Sequence, residues 1–144
     1  MLRRPSESEE VSADYRNLGL TLRRHPLALL RPRLRRAGIR SAREFWRLRN
    51  GSVATGAGLV ICRQRPGSAS GVIFVTLEDE SGHLNAVVWP GVATAQRQPL
   101  LCARLLAITG VIQQEQGVLH LVAGRLRDLT GWLGGLVSDS RDFH

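Results

Sequence analysis

Between Gly71 and Pro90 the chain reads GVIFVTLEDESGHLNAVVWP, two alternating apolar runs separated by an acidic, glycine-closed break. Ile73, Val75 and Leu77 alternate with Val72, Phe74 and Thr76, so both faces of the first run carry residues that suit a pleated strand. Glu78 to Gly82 interrupts it with turn formers, and Leu84, Ala86 and Val88 resume the period of two until Pro90-Gly91. The pattern predicts a hairpin that forms the spine of a β structure.

The same period recurs on both sides. Val53 to Cys62 predicts a long curving strand in which Ala54, Gly56 and Gly58 share one side, where missing side chains allow bending or close approach of another backbone. Arg63 to Ser70 reads as a basic, polar loop, and Gly91 to Gln98 as a connector holding a helical turn. Leu100 to Gln113 predicts a fourth strand, with Leu106, Ile108 and Ile112 facing one way and Leu105, Ala107 and Val111 the other. After the polar turn Gln113 to Gly117, Val118 to Leu129 predicts a fifth, with Val118, His120 and Val122 opposing Leu119, Leu121 and Ala123. A long strand, a hairpin, a connector and a second hairpin predict a mainly β fold, the five-stranded Greek-key barrel called the OB-fold, over residues 51–130.

Residues 1–50 have a helical period instead and read as a basic linker region. Ser6 and Glu9 have capping-box spacing, followed by a stripe of Val11, Tyr15, Leu18 and Leu22 that Pro26 ends. Leu27, Leu30 and Leu34 predict a second helix, which Pro32 should break or kink. Gly38 stops it, Ser41 and Glu44 start a short helix through Phe45, Trp46 and Leu48, and Asn50-Gly51 closes the region. Residues 131–144 read as a loosely ordered tail.

Charge sharpens this division. Of 144 residues 20 are basic, all of them Arg; 13 lie in residues 1–50 against five acids, whereas residues 51–144 balance at seven of each. Arg31, Arg33, Arg35 and Arg36 could therefore neutralise phosphates, while the barrel is neutral overall. No run of apolar residues is long enough to span a bilayer and the first residues lack a secretory apolar stretch, so the expected setting is cytoplasmic, away from any membrane. Cys62 and Cys102 have no metal-ligand spacing and read as small buried hydrophobes. Glu78, Asp79 and Glu80 read as a solvated hairpin tip rather than a metal cluster, and His25, His83, His120 and His144 are too scattered to suggest catalysis. Neither a catalytic site, a metal nor a cofactor is expected.

In an OB-fold, nucleic acid usually meets the outer face of strands 2 and 3 and the loops joining strands 1–2 and 4–5. The candidates are then Arg63, Gln64 and Arg65, followed by Phe74, Thr76 and Asn85, and then Gln113, Gln114, Gln116 and His120. Phe74 could stack a base, although a mid-strand Phe more commonly enters the core. Trp89, before Pro90, reads as a plug for the barrel end.

The segments LGLTLRRHPL, AGLVICRQRPGSASGVIFVTLEDESGHLNAVVWP, LLAITGVIQQEQGVLHLVAGRLRDL and SRDFH resemble the C-terminal part of the error-prone branch of bacterial C-family DNA polymerase alpha subunits. RQRPG, NAVVWP and SRDFH point to the damage-tolerant branch; the looser LGxxLxxHP and TLEDExG patterns are shared with replicative alpha subunits. The resemblance implies an OB domain, joined by its helical linker to a polymerase body, that binds single-stranded DNA near the template path. It also implies a sliding clamp and an inactive Y-family-like mutasome protein as partners, with the catalytic carboxylates upstream of this stretch. The alternative is a protein-interaction module docking such partners through the barrel or the SRDFH tail. Sheet and loop chemistry alone does not separate DNA from RNA.

Overall fold

The structure, a computed structural model, describes residues 25–65 and 71–134. Strands β1 (Val53–Gln64), β2 (Ile73–Asp79), β3 (Gly82–Val88), β4 (Leu105–Glu115) and β5 (Val118–Asp128) close into a barrel in the order β1-β2-β3-β5-β4. All pairs are antiparallel except β3–β5, as the expected OB-fold requires. The predicted inward sets of β2, β3, β4 and β5 meet in one core cluster, from Ile73 and Leu84 to Ile112 and Leu121.

β1 serves two partners, pairing through residues 53–59 with β4 and through residues 59–64 with β2. Its glycines permit this. A Cβ on Gly56 would lie 2.7 Å from Leu84 Cδ2 and 2.8 Å from the Phe45 ring, and one on Gly58 would lie 2.8 Å from the Glu78 carbonyl. The tight approach at Gly56 lets Phe45 enter the barrel core from outside the sheet.

Helix α1 (Pro26–Arg36) begins at His25, whose Nδ1 accepts from the Leu27 amide, and ends in a Schellman motif. There the Gly38 amide donates to Arg35, and the Ile39 amide to Leu34, with Gly38 at φ +80. Contrary to expectation the helix runs unbroken through Pro32. Pro32 removes one backbone bond, but Leu27, Leu30 and Leu34 bury their stripe against Ala57, Leu105, Ala107 and Leu129, and that burial outweighs the loss. The predicted capping box is present on α2 (Ala42–Phe45).

The connector holds two helices, α3 (Pro90–Ala95) and α4 (Arg97–Cys102), so Leu100 to Cys102 are helical rather than the start of the fourth strand. Pro99 lies in the first turn of α4, where its missing N–H breaks no helical bond. Leu100 points into the core, whereas Trp89 is 52% exposed and plugs nothing. Cys102 is exposed and Cys62 half-buried, so neither is the buried hydrophobe expected.

The hairpin tip is also not simply solvated. Asp79 is 4% exposed: its Oδ1 accepts from the Ser81 amide, the Ser81 hydroxyl and the Gly82 amide. Its Oδ2 accepts from the Ala42 amide at 2.7 Å and from Arg31 Nη2 at 3.3 Å. One carboxylate thus closes the β2–β3 turn, holds the start of α2 and engages the middle of α1. Residues 130–134 are helical, and Trp132 and Leu133 pack on the α1 cluster, which corrects the loose-tail expectation for that stretch. The remaining tail and the predicted first helix lie outside the described residues.

β4 and β5 pair across a bulge. Thr109 faces Arg125 and Gly110 faces Ala123, which leaves Gly124 as the extra residue. The bulge reverses the alternation of β5: Leu126 takes the next core position and Arg125 and Arg127 turn outward. Gln96, between α3 and α4, spans the bulge, donating through Nε2 to the Gly124 carbonyl (3.0 Å) and accepting at Oε1 from the Leu126 amide (2.6 Å).

Candidate nucleic-acid interface

Strand register places most candidate residues on one outer face. Phe74 pairs with Gln64 on β1 and with Val87 on β3; Val87 pairs with Val122, and Val122 with Val111. Beside this row runs a polar one: Cys62 pairs with Thr76, Thr76 with Asn85, and His120 with Gln113. Asn85 and His120 each precede the paired residues Ala86 and Leu121 by one, so the two halves of the polar row adjoin.

Phe74 is 38% exposed and faces outward, because its neighbours Ile73 and Val75 hold the inward positions. The mid-strand argument for a core Phe is therefore corrected. Thr76 Oγ1 donates to Asn85 Oδ1 at 3.0 Å, which leaves the Asn85 amide N–H groups to donate outward. An apolar ring beside a strip of neutral donors and acceptors matches the faces and edges of bases better than it matches phosphates.

The other candidates divide. Gln64 and Arg65 are exposed at the end of β1, leading to residues 66–70 outside the described set. Arg63 belongs to β1 and not to the loop: its Nε donates to the Leu100 carbonyl at 2.7 Å and its Nη2 to the Ala103 carbonyl, so it tethers the end of α4. Gln113 is exposed, Gln114 half-buried with its amide bonded to Asn50 Oδ1, and Gln116 occupies the β4–β5 turn at φ 52 beside Gly117 at φ 80. The two positive φ values identify a two-residue turn of the type that matches strand twist.

The α1 arginines do not form one basic strip. Arg31 is 8% exposed and is engaged by Asp79 and Glu80, so its charge is committed within the fold rather than displayed on a basic strip. Arg33 stacks over Trp132 at 3.9 Å from the ring centroid, and Arg35 lies 3.5 Å from Glu44. Arg36 is exposed. The helix covers Ala57 and Ala107 on the β1–β4 side of the barrel and reaches the end of β2 through Arg31 and His25.

One feature of this end of the barrel escaped the sequence reading. Ala42, Arg43, Trp46, Ser81, Gly82 and His83 line a cavity of about 300 Å³ beside the β2–β3 turn. Trp46 is 46% exposed there, and the Arg43 amide donates to Ser81 Oγ. In the sequence Trp46 reads as part of the short helix leading to the barrel; only the Asp79 anchor swings it to the hairpin. Glu78, on the outer face of β2, lies 3.5 Å from both His25 Nε2 and His83 Nε2. Among the described residues no group of three or more His, Cys, Asp or Glu side chains is placed to hold a metal ion, and no helix is long and apolar enough to cross a membrane.

Comparison of the sequence with known proteins agrees with the barrel fold. The family model described as an OB-fold nucleic acid binding domain matches residues 55–129. The error-prone DNA polymerase of Methylococcus capsulatus is 60% identical over 143 residues, covering 99% of this chain and 14% of that polymerase. The error-prone DNA polymerase of Alkalilimnicola ehrlichii is 56% identical over 140 residues, covering 97% and 14%. The chain therefore spans about one-seventh of the length of these relatives, and the resemblance carried by its motifs holds. Among solved structures, asparaginyl-tRNA synthetase from Pyrococcus horikoshii matches 56% of this chain and 20% of its own at 23% identity and TM-score 0.46.

Proposed function

Since the chain belongs to the family of OB-fold nucleic-acid-binding domains, we propose that its barrel holds single-stranded DNA for an error-prone polymerase. The reading has the domain joined to a cytoplasmic polymerase body and positioning the template during synthesis past damage, with the sliding clamp and a mutasome protein as further partners. The observation that carries it is the outer face of β2, β3 and β5, where Phe74 lies beside the Thr76–Asn85 pair and the His120–Gln113 pair. Rings stack on Phe74, base edges meet the polar row, and Gln64 and Arg65 receive the backbone at the strand end.

Titration of a fluorescent oligothymidine with the chain, repeated across salt concentrations, tests this. Binding should weaken with salt along a slope of about −0.7 for each phosphate neutralised. Salt-independent binding, or none at concentrations approaching millimolar, would remove the proposal. A protein partner on the same face is the second reading, supported by exposed Val111 and Val118 beside it. On that reading a pulled-down partner should be displaced by Phe74→Ala and not by oligonucleotide.

A further inference from the structure

The side of the barrel away from Phe74 carries a groove that the proposed interface does not use. Ala37, Ile39, Thr55, Ala107, Thr109, Arg125 and Arg127 line a cavity of about 280 Å³ between the end of α1 and the outer faces of β1, β4 and β5. The register places its polar groups in order: Thr55 pairs with Thr109 and Thr109 with Arg125, while Ala57 pairs with Ala107 and Ala107 with Arg127. Two guanidinium groups on one wall thus flank two hydroxyls on the floor, and no carboxylate lines the groove.

From this geometry we infer that the groove is a second nucleic-acid contact, a phosphodiester-binding site separate from the base-stacking face. It rests on the single-stranded DNA reading and extends it. Three observations carry it. Thr55 Oγ1 and Thr109 Oγ1 are 2.7 Å apart, so one hydroxyl proton is used between them and the other remains to donate into the groove. Arg125 and Arg127 face the groove only because the Gly124 bulge reverses the alternation of β5, and among the described residues neither meets a carboxylate. The negative end of α1 does not oppose an anion with open acceptors, since the carbonyls of Arg33, Leu34 and Arg35 accept from the amides of Ala37, Gly38 and Ile39.

The volume lies at the low end for a ligand pocket and suits one phosphate with its sugar rather than a whole cofactor. Guanidinium pairs beside hydroxyl donors are suited to phosphate oxygens. Filling the groove and the Phe74 face together requires a strand that passes around the barrel, longer than one that covers the face alone.

The test compares Arg125→Gln/Arg127→Gln with Arg97→Gln/Arg104→Gln, which removes the same charge from two exposed arginines outside the groove. Each variant of this 144-residue chain is titrated with oligothymidines of about 6 and about 30 nucleotides, a range that brackets one OB domain's site. The groove variant should bind the long strand about tenfold more weakly, with a salt slope shallower by about 1.4, while short-strand affinity and the thermal midpoint stay unchanged. The control pair should change long-strand binding far less. Equal losses in both variants, or no loss in the groove variant while the wild type binds both lengths, would overturn this inference alone. If the wild type binds neither length, the single-stranded DNA reading falls with it. Inorganic phosphate titrated against the Thr109 amide resonance separates sources: a shift with phosphate but no long-strand effect shows a free-anion site and overturns the backbone assignment.

Discussion

Arg31 on α1 and Glu80 at the β2–β3 turn, 49 residues apart in sequence, form a two-bonded guanidinium–carboxylate pair, Nε to Oε2 at 2.6 Å and Nη2 to Oε1 at 2.8 Å. With Asp79 beside them the pair locks the helical region onto the hairpin that carries the candidate face. A paired geometry of this kind is stronger than a single contact and fixes orientation as well. Arg31→Ala should therefore cost about 3 kcal/mol of unfolding free energy, because it strands the buried Asp79 charge. Chemical denaturation measures this; a loss near zero would show that the pair only decorates the fold. Oligonucleotide affinity of the folded variant should stay near wild type, since the Arg31 charge is already paired with Asp79 and Glu80.

Glu80, and Glu44 in the capping box, make stability depend on acid. The Ser41 backbone N–H, followed by its hydroxyl, holds Glu44 below the usual carboxylate range. Burial pushes Glu80 up, but the Arg31 hydrogen bond, a backbone bond and the nearby charge together bring it below that range. With folded pKa values depressed, the unfolded chain takes up protons first as pH falls. The contribution is complete above about pH 5 and is lost as pH drops through the ordinary value of about 4.3 toward the lower folded one. Urea midpoints from pH 7 downward should fall across that window, and less steeply in Glu80→Gln and Glu44→Gln. Variants with the wild-type pH profile would contradict this.

Two glycines of the second hairpin should respond differently to alanine. A Cβ on Gly110 would lie 2.0 Å from the Val122 carbonyl, so Gly110→Ala must displace β5 and should prevent a stable barrel from forming. Gly117 has open space around it but a φ of +80, and Gly117→Ala should cost only about 1–2 kcal/mol. Thermal unfolding and one-dimensional proton spectra report both.

Gln96→Leu should unpin the β5 bulge. It leaves the Gly124 carbonyl and the Leu126 amide without their side-chain partner, at a cost of about 1–3 kcal/mol. Amide hydrogen exchange at Leu126 should accelerate before that of Leu121, which lies deeper in the β3–β5 pairing. Unchanged exchange at Leu126 would mean that water replaces the glutamine without loss.

Phe74→Ala tests the stacking face separately from the fold. A ring this exposed contributes little to the core, so the thermal midpoint should barely move, whereas one stacked base is worth about 1–3 kcal/mol of affinity. A large loss of stability with unchanged binding would return Phe74 to a structural role.

How much of this was legible beforehand follows from which forces are local. Alternating apolar residues fix which positions of a strand share a face, so the core sets of β2, β3, β4 and of β5 as far as Ala123, the Ser41–Glu44 cap and the Gly38 stop could be read from the chain. So could the barrel itself, because five such strands have few ways to bury their inner faces. The site was partly legible for the same reason: Phe74, Thr76, Asn85, His120 and Gln113 share a face by parity, and register aligns them.

Partners far apart in sequence were decided only by the tertiary structure. Arg31 and Arg63 read as free basic charge until the chain brings Glu80 to one and the carbonyls of Leu100 and Ala103 to the other. Pro32 reads as a helix breaker until the burial of Leu27, Leu30 and Leu34 outweighs one lost bond. Arg125 and Arg127 fall at inward parity until one extra residue at Gly124 turns them out. Charge, a missing backbone donor and a bulge each have a sign that depends on what lies opposite, and only closure of the barrel determines that.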